Sequence, residues 1–372
     1  MRFSNYQRLL LFMLVVLWSG AFAKTILPPH YLDQGITYMA MIIGMLIVFG
    51  AQFLFLISIR KGKAKILWTI SFFSSLLSLV LVINIHTVWQ FYLSSFMSGI
   101  SLCSYWVAYN TAYFTHTPKE KTGLGSAIMF SVFPLLSIIA PPIAGYMLEA
   151  NPLTFWVTSL FFYLLFYLFI GRQEDFSIHY SLRAVFNEIK ATRVLLFLEG
   201  IWEAMIFVII PVYSLFFIAT PLAYGTFSAY LALVGILANL SLGKLTDKLQ
   251  KRVLFLYPLT IIMAVVTFLF PMGLSNLMLW LVVTGILNFF IPLYWNITTA
   301  MFIDTHQNLQ KSIPGREIIL ALGRIVGVSL VLFFFIIESQ PRIIFYLLGG
   351  IMLGYPLHLF WVSRYKKWYV FR

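Results

Sequence analysis

Three ionisable side chains stand deep in long apolar runs: Glu199 and Glu203, four residues apart, and Arg324. An ionised group at the centre of a bilayer costs at least about 2.5 kcal/mol, so groups in such runs are functional candidates. At i and i+4 the two glutamates share one helix face. Low dielectric disfavours an ionised carboxyl, and a nearby guanidinium favours it. Two chemistries follow. Glu203, the stronger candidate, or Glu199 takes up and releases a proton as Arg324 moves away and back; alternatively, a permanent Glu–Arg bridge holds two helices together. Asp304, Arg316 and Glu317 fall near the end of their runs and are expected to face a loop.

A second group of residues suits ligand contact. Tyr105, Tyr109 and Tyr113 make one i, i+4, i+8 stripe, with Trp106 and Asn110 beside it. Asn288, Trp295 and Thr299 share a face, with Tyr294 and Asn296 adjacent. Aromatic area with a few amides and hydroxyls is the composition of a small-molecule cavity. Interfacial tyrosine belts and interhelical amide hydrogen bonds are the competing explanations. Gly323 and Gly327 bracket Arg324 as a pair of small residues suited to close helix contact.

Other chemistries lack their residues. None of the six histidines stands four residues from another, and Cys103 is the one cysteine, so neither a metal site nor a disulfide framework is expected. No Gly-rich loop ending in Lys-Ser or Lys-Thr is present, which argues against direct ATP drive. No cofactor, enzymatic activity or nucleic-acid partner is expected.

The elements that must carry these residues are membrane helices. The chain is 61% hydrophobic and 10% charged, with a mean hydropathy of +0.92; soluble domains carry about 25% charged residues. Apolar runs predict twelve spans near 9–28, 36–59, 66–85, 88–114, 124–148, 153–171, 195–218, 224–243, 254–272, 277–303, 316–337 and 343–363. The formal charge of +13 comes in short clusters between them. Threaded twelve times, the chain puts nearly all its Lys and Arg on one side; Lys24 and Arg342 fall outside, and Arg324 lies within a span. The positive-inside rule makes that side, with both termini, cytoplasmic. Arg2, Arg8 and the run Leu9–Leu17 before Ala21-Phe22-Ala23 imitate a cleavable signal. The repeat described next needs this segment as a helix.

The longest connection, 172–194, divides the chain into a unit of six spans over 1–171 and another over 195–372. Pro29-His30-Tyr31 recurs as Pro211-Val212-Tyr213, 182 residues later, and Tyr105-Trp106 as Tyr294-Trp295, 189 residues later. Six-plus-six repeats characterise one large transporter class.

One loop carries a family resemblance. Gly243, Asp247, Lys248, Lys251 and Arg252 match the loop signature of the major facilitator superfamily, with Gln250 in place of its second glycine. Residues 59–65 keep the basic charges of the first-half copy but lack the Asp. Pro141 and Gly145 resemble the end of a motif that the family's antiporters carry. Gly243 is expected to end its helix against a neighbour and Asp247 to latch onto a helix N-terminus as a cytoplasmic gate. The resemblance implies two six-helix bundles, rocking about a central site in the cell membrane as a monomer. It implies a small-solute secondary transporter; the carboxyl–arginine pair favours protons over sodium as the coupling ion, and the aromatic-rich lining with its single acidic pair mildly favours export of an amphipathic or cationic compound. A non-transporting sensor or scaffold on the same fold is the alternative.

Overall fold

The computed structural model describes residues 5–118, 121–249, 252–306, 308–338 and 342–365; the side chains of 239–249, 252 and 363–365 lie outside that description. The first segment is α1 (Asn5–Ala23) and α2 (Leu27–Asp33), followed by α3 (Tyr38–Ser58), α4 (Ala64–Ile83) and α5 (Val88–Thr115). Then come α6 (Thr122–Ser137), α7 (Ala140–Ala150) and α8 (Pro152–Ile170). A short α9 (Leu182–Glu188) precedes α10 (Arg193–Trp202), a π-helical turn at Met205–Ile209, and α11 (Ile210–Ser214). The remainder is α12 (Pro221–Leu249), α13 (Arg252–Gly273), α14 (Leu277–Thr305), α15 (Leu309–Ile337) and α16 (Ile343–Tyr365).

Side-chain caps set many of the starts. Thr37, Thr87 and Asn276 each accept from the backbone N–H three residues on, at 3.2, 3.3 and 3.0 Å, satisfying a donor the first turn leaves free. Asn151 does the same for α8 at 3.2 Å, with Pro152 at the position where a missing N–H costs nothing. Gly35, at φ +79°, makes the tight turn from α2 to α3.

Eleven helical segments among the described residues are long and apolar enough to cross a membrane. The expected fourth span is also a helix, α5, 28 residues long, but its serines and tyrosines make it less apolar than the others. Large apolar side chains such as Leu153, Trp89, Met278 and Leu357 point outward, fully 70% or more exposed. That is the reverse of a water-soluble surface and suits a hydrocarbon one.

Three features depart from the sequence expectation. Lys24, expected on the outer side, stands nine residues short of the end of the first spanning segment, Asn5–Asp33, because α2 continues the path past the break at residues 24–26. α12 runs through Gly243 to Leu249, so Gly243 does not end a helix. The connection 172–194 is ordered: β2 (Ser177–His179) pairs antiparallel with β1 (Lys61–Lys63). Tyr180 then donates to the Leu56 carbonyl at 2.7 Å, and burial pushes its phenol well above the ordinary range. α9 packs on α15, where Val185 and Ile189 sit against Gly315.

Candidate coupling site

A glycine seam brings the charges together. A Cβ on Gly200 of α10 would lie 2.6 Å from the Leu320 carbonyl of α15, and one on Gly323 would lie 2.5 Å from the Phe197 carbonyl. Gly327 abuts the Ile201 carbonyl equally closely. With no side chains between them, the two backbones touch, and Arg324 comes beside Glu203. Its Nε donates to Glu203 Oε2 at 2.6 Å, and Trp295 Nε1 donates to Glu203 Oε1 at 3.0 Å. The guanidinium also lies over the rings of Phe207 and Phe49, at 5.1 and 5.5 Å, where the ring faces attract a cation. Both Glu203 oxygens are thus occupied, and the residue is 2% exposed.

Why the carboxylate is aimed there follows from the break after α10. Pro211 has no N–H, so the helical ladder cannot run unbroken past it, and the chain makes a π turn before restarting as α11. Glu203 sits at the C-terminal end of α10, just before that turn.

Glu199 differs. It is 1% exposed and neither carboxylate oxygen has a hydrogen-bond partner. Its nearest cation is Arg316, at 3.9 Å. The expectation that Arg316 and Glu317 face a loop is corrected: Arg316 is turned inward, donating to Glu317 Oε1 at 2.9 Å and to Thr299 Oγ1 at 3.3 Å. Both side chains are 13% exposed. Asp304 is exposed, as expected.

The cavity candidates divide. Trp295 and Thr299 join the charged site through the bonds just given. Tyr109 is fully buried between Tyr105 and Tyr113, at ring distances of 5.3 and 5.7 Å, and donates to the Leu9 carbonyl at 3.4 Å. Trp106 packs edge-on against it. This stripe ties α5 to α1 rather than facing an opening. Asn288 donates to Thr284 of its own helix at 3.0 Å. Asn110 and Asn296 are buried, and Asn110 Oδ1 has no partner. Phe130 and Phe207 lie against Trp295, at 6.0 and 6.4 Å, filling the space around Glu203. Two small hollows among the described residues lie elsewhere, one beside Arg8, His116 and Glu174 and one beside Cys103 and Tyr180.

Of the gate residues, Gly243, Asp247 and Lys248 lie in the last turns of α12 and Arg252 begins α13; Lys251 and all side chains there lie outside the described residues. Asp247 therefore sits at the C-terminal end of its own helix. Pro141 and Gly145 stand in α7, and a Cβ on Gly145 would meet the Pro221 carbonyl of α12 at 2.5 Å. Gly225 abuts the Pro141 carbonyl in return, so Pro-x-x-x-Gly occurs on both helices and the two copies pack reciprocally. Sequence reasoning missed the second copy, although its spacing was legible. Glu149 Oε1 closes this contact by accepting from the Leu222 N–H at 2.7 Å.

The comparisons with known proteins agree with this architecture. The family model described as "Major Facilitator Superfamily" matches residues 9–312. A search of curated protein sequences returns no match. A crystal structure of a bacterial homologue of the iron transporter ferroportin, outward-facing with soaked iron, is similar at a TM-score of 0.70 and 14% identity, covering 98% of this chain and 99% of that one. The human organic anion transporter MFSD10 (TETRAN) is similar at a TM-score of 0.70 and 11% identity, covering 96% and 100%. At those identities the likeness is one of fold. The family model covers well over half of the sequence, and the chain belongs to the Major Facilitator Superfamily, a family of membrane transporters.

Proposed function

We propose that this protein is a proton-coupled secondary transporter, in which Glu199 carries the proton and the Glu203–Arg324 pair is the element that its charge biases. The observation that carries this reading is the state of the two carboxyls. Glu203 is fully paired, whereas Glu199 is buried with neither oxygen hydrogen-bonded. An ionised carboxylate so placed is costly, and a proton removes the cost. Four residues separate the two groups on one helix, so ionising Glu199 sets a second negative charge beside Glu203 and alters the field that holds Glu203 to Arg324.

In this reading twelve spans work as two bundles, 1–171 and 195–372, joined by the linker 172–194, with α5 as the fourth span. Both termini are cytoplasmic, the membrane is the cell membrane, and the protein acts as a monomer. The bundles rock about the centre and expose it alternately to either side. One carboxyl suffices to couple: a single charge crossing 100 mV is worth about 2.3 kcal/mol, comparable to the cost of one ionisation. Aromatic side chains about the centre favour an amphipathic solute, cations included, and export is the proposed direction. The cargoes named for the two structural neighbours are not carried over.

The test is a solute-panel flux assay in proteoliposomes, with and without a pH gradient, on wild type, Glu199→Gln and Glu203→Gln. Gradient-driven accumulation is expected in wild type. Glu199→Gln should exchange solute but not respond to the gradient, and Glu203→Gln should do neither. Full proton-coupled flux in Glu199→Gln would refute the assignment. A second reading, a non-transporting sensor or scaffold, draws on the filling of the centre by Phe49, Phe130, Phe207 and Trp295. Wild-type protein that moves no member of the panel would favour it.

A further inference from the structure

Among the described residues Lys24 has no counter-charge within ion-pair distance. Inside the spans the acidic groups have cations near them: Arg324 serves Glu203, and Arg316 serves Glu199 and Glu317. Lys24 forms no ion pair among the described residues. The one bond recorded for its ammonium runs to Ser98 Oγ at 3.4 Å, a long contact for a group with three donors. Ser98 in turn bonds Ser78 at 2.7 Å, and Ser78 bonds Ser94 at 3.0 Å. The ammonium therefore heads a ladder of hydroxyls between α4 and α5, groups that both donate and accept.

Lys24 stands well inside its segment rather than at the end of it. Nine residues separate Lys24 from the end of its segment at Asp33, and ten separate Ser98 from the start of α5. At 1.5 Å per residue both counts place the contact about 14–15 Å along from those helix ends.

The backbone singles out the same place. The carbonyls of Lys24 and Thr25 face Pro28 and Pro29, which have no N–H to give, and the chain leaves the α-helix at residues 24–26. In the second half the π turn occupies Met205–Ile209. Moved back by the 182-residue repeat, that turn falls on 23–27. Interrupted helices at corresponding positions of two repeats are where transporters bind their solutes, near the midplane. One interruption follows Glu203, and the other contains Lys24.

From these observations, and resting on the transporter reading above, we propose that Lys24 and the hydroxyls of Ser98, Ser78 and Ser94 bind the anionic head of the transported solute, an amphipathic organic anion. When Glu199 carries its proton, Lys24 is the cation of the intramembrane set that remains uncompensated, and the solute supplies the missing negative charge. Export of such an anion is also favoured by an inside-negative membrane potential.

The test uses two permanently charged aromatic probes of similar size, 1-naphthalenesulfonate and N-methylquinolinium. Flux and thermal stabilisation of the full chain are measured for wild type, Lys24→Gln and Lys24→Arg. The anion should move through wild type and stabilise it. Lys24→Gln should raise the half-saturating anion concentration at least about tenfold, the worth of one charge-assisted hydrogen bond. Lys24→Arg should stay within about threefold of wild type, showing that the charge is what matters and that the site is folded. An unchanged anion response in Lys24→Gln overturns the proposal. So does transport of the cation alone, which leaves the transporter reading standing. Movement of neither probe also overturns the anion site, and the solute panel with its pH gradient then decides separately whether the chain transports.

Discussion

Removing one half of the central ion pair should cost far more than removing both. Glu203 and Arg324 are joined at 2.6 Å, with side chains 2% and 12% exposed. In Glu203→Gln the guanidinium stays charged but faces a neutral amide oxygen, with the faces of Phe207 and Phe49 as its other contacts, worth up to about 2 kcal/mol. In Arg324→Gln a carboxylate remains with no cation bonded to it, held by neutral donors such as the Trp295 N–H, at 3.0 Å. Breaking a buried pair from one side costs about 3–5 kcal/mol, because the survivor is left uncompensated. The double variant Glu203→Gln/Arg324→Gln keeps two amides that can bond one another and leaves no charge, so a loss of about 1–2 kcal/mol is expected. The double-mutant cycle should therefore be sub-additive by several kcal/mol. Reversible unfolding in mixed micelles, followed by the fraction folded as denaturing detergent is titrated in, measures all four proteins. Additive losses, or a Glu203→Gln protein within about 1 kcal/mol of wild type, would refute the idea that this pair governs the stability of the second half.

Further outcomes follow from other contacts. Gly323→Leu places a side chain where even a Cβ would lie 2.5 Å from the Phe197 carbonyl; at least about 1–3 kcal/mol of overpacking should lower the melting temperature and separate Arg324 from Glu203, read as loss of coupled flux. Glu149→Ala removes the acceptor for the Leu222 N–H and should cost about 1 kcal/mol, with faster labelling of a cysteine introduced at Thr220, at that end of α12. His306, just beyond the end of α14, bonds Thr192 at 2.9 Å, and burial pushes its pKa down to about 4 from an ordinary 6.5. The unfolded chain then takes up the proton first, so stability should fall by up to about 3 kcal/mol as pH drops from about 6.5 towards 4. His306→Gln should flatten that dependence.

The charged residues of the candidate site were legible because their signal is local. Glu199, Glu203 and Arg324 stand out of apolar runs whatever they touch, and Trp295 was named although its bond to Glu203 was not. Which carboxyl would be paired was not legible. Spacing puts both glutamates on one face, and the outcome turned on where the glycine seam at Gly200, Gly323 and Gly327 sets α15 along α10. Arg316 was misplaced for a related reason: it stands near a helix start, yet its long side chain bends inward to Thr299 and Glu317. Lys24 was assigned to the outer side because its span was expected to close near residue 28, whereas the path resumes at Leu27 and runs on to Asp33.

What the sequence by itself determined is the solvent and the approximate spans, together with the loop signature that led to the family. Hydropathy, charge clusters and proline positions are sums over neighbours in the chain, and a bilayer selects on those sums directly. The tertiary structure alone decided the partners: Arg324 with Glu203, a Glu199 whose oxygens have no hydrogen bond, the strand that pins 177–179 to 61–63, and a lysine facing a serine ladder. Each of these depends on the rotation and offset of helices distant in sequence. Close backbone contact at glycines and broken ladders at prolines set those rotations, and no local pattern encodes both sides of such a contact.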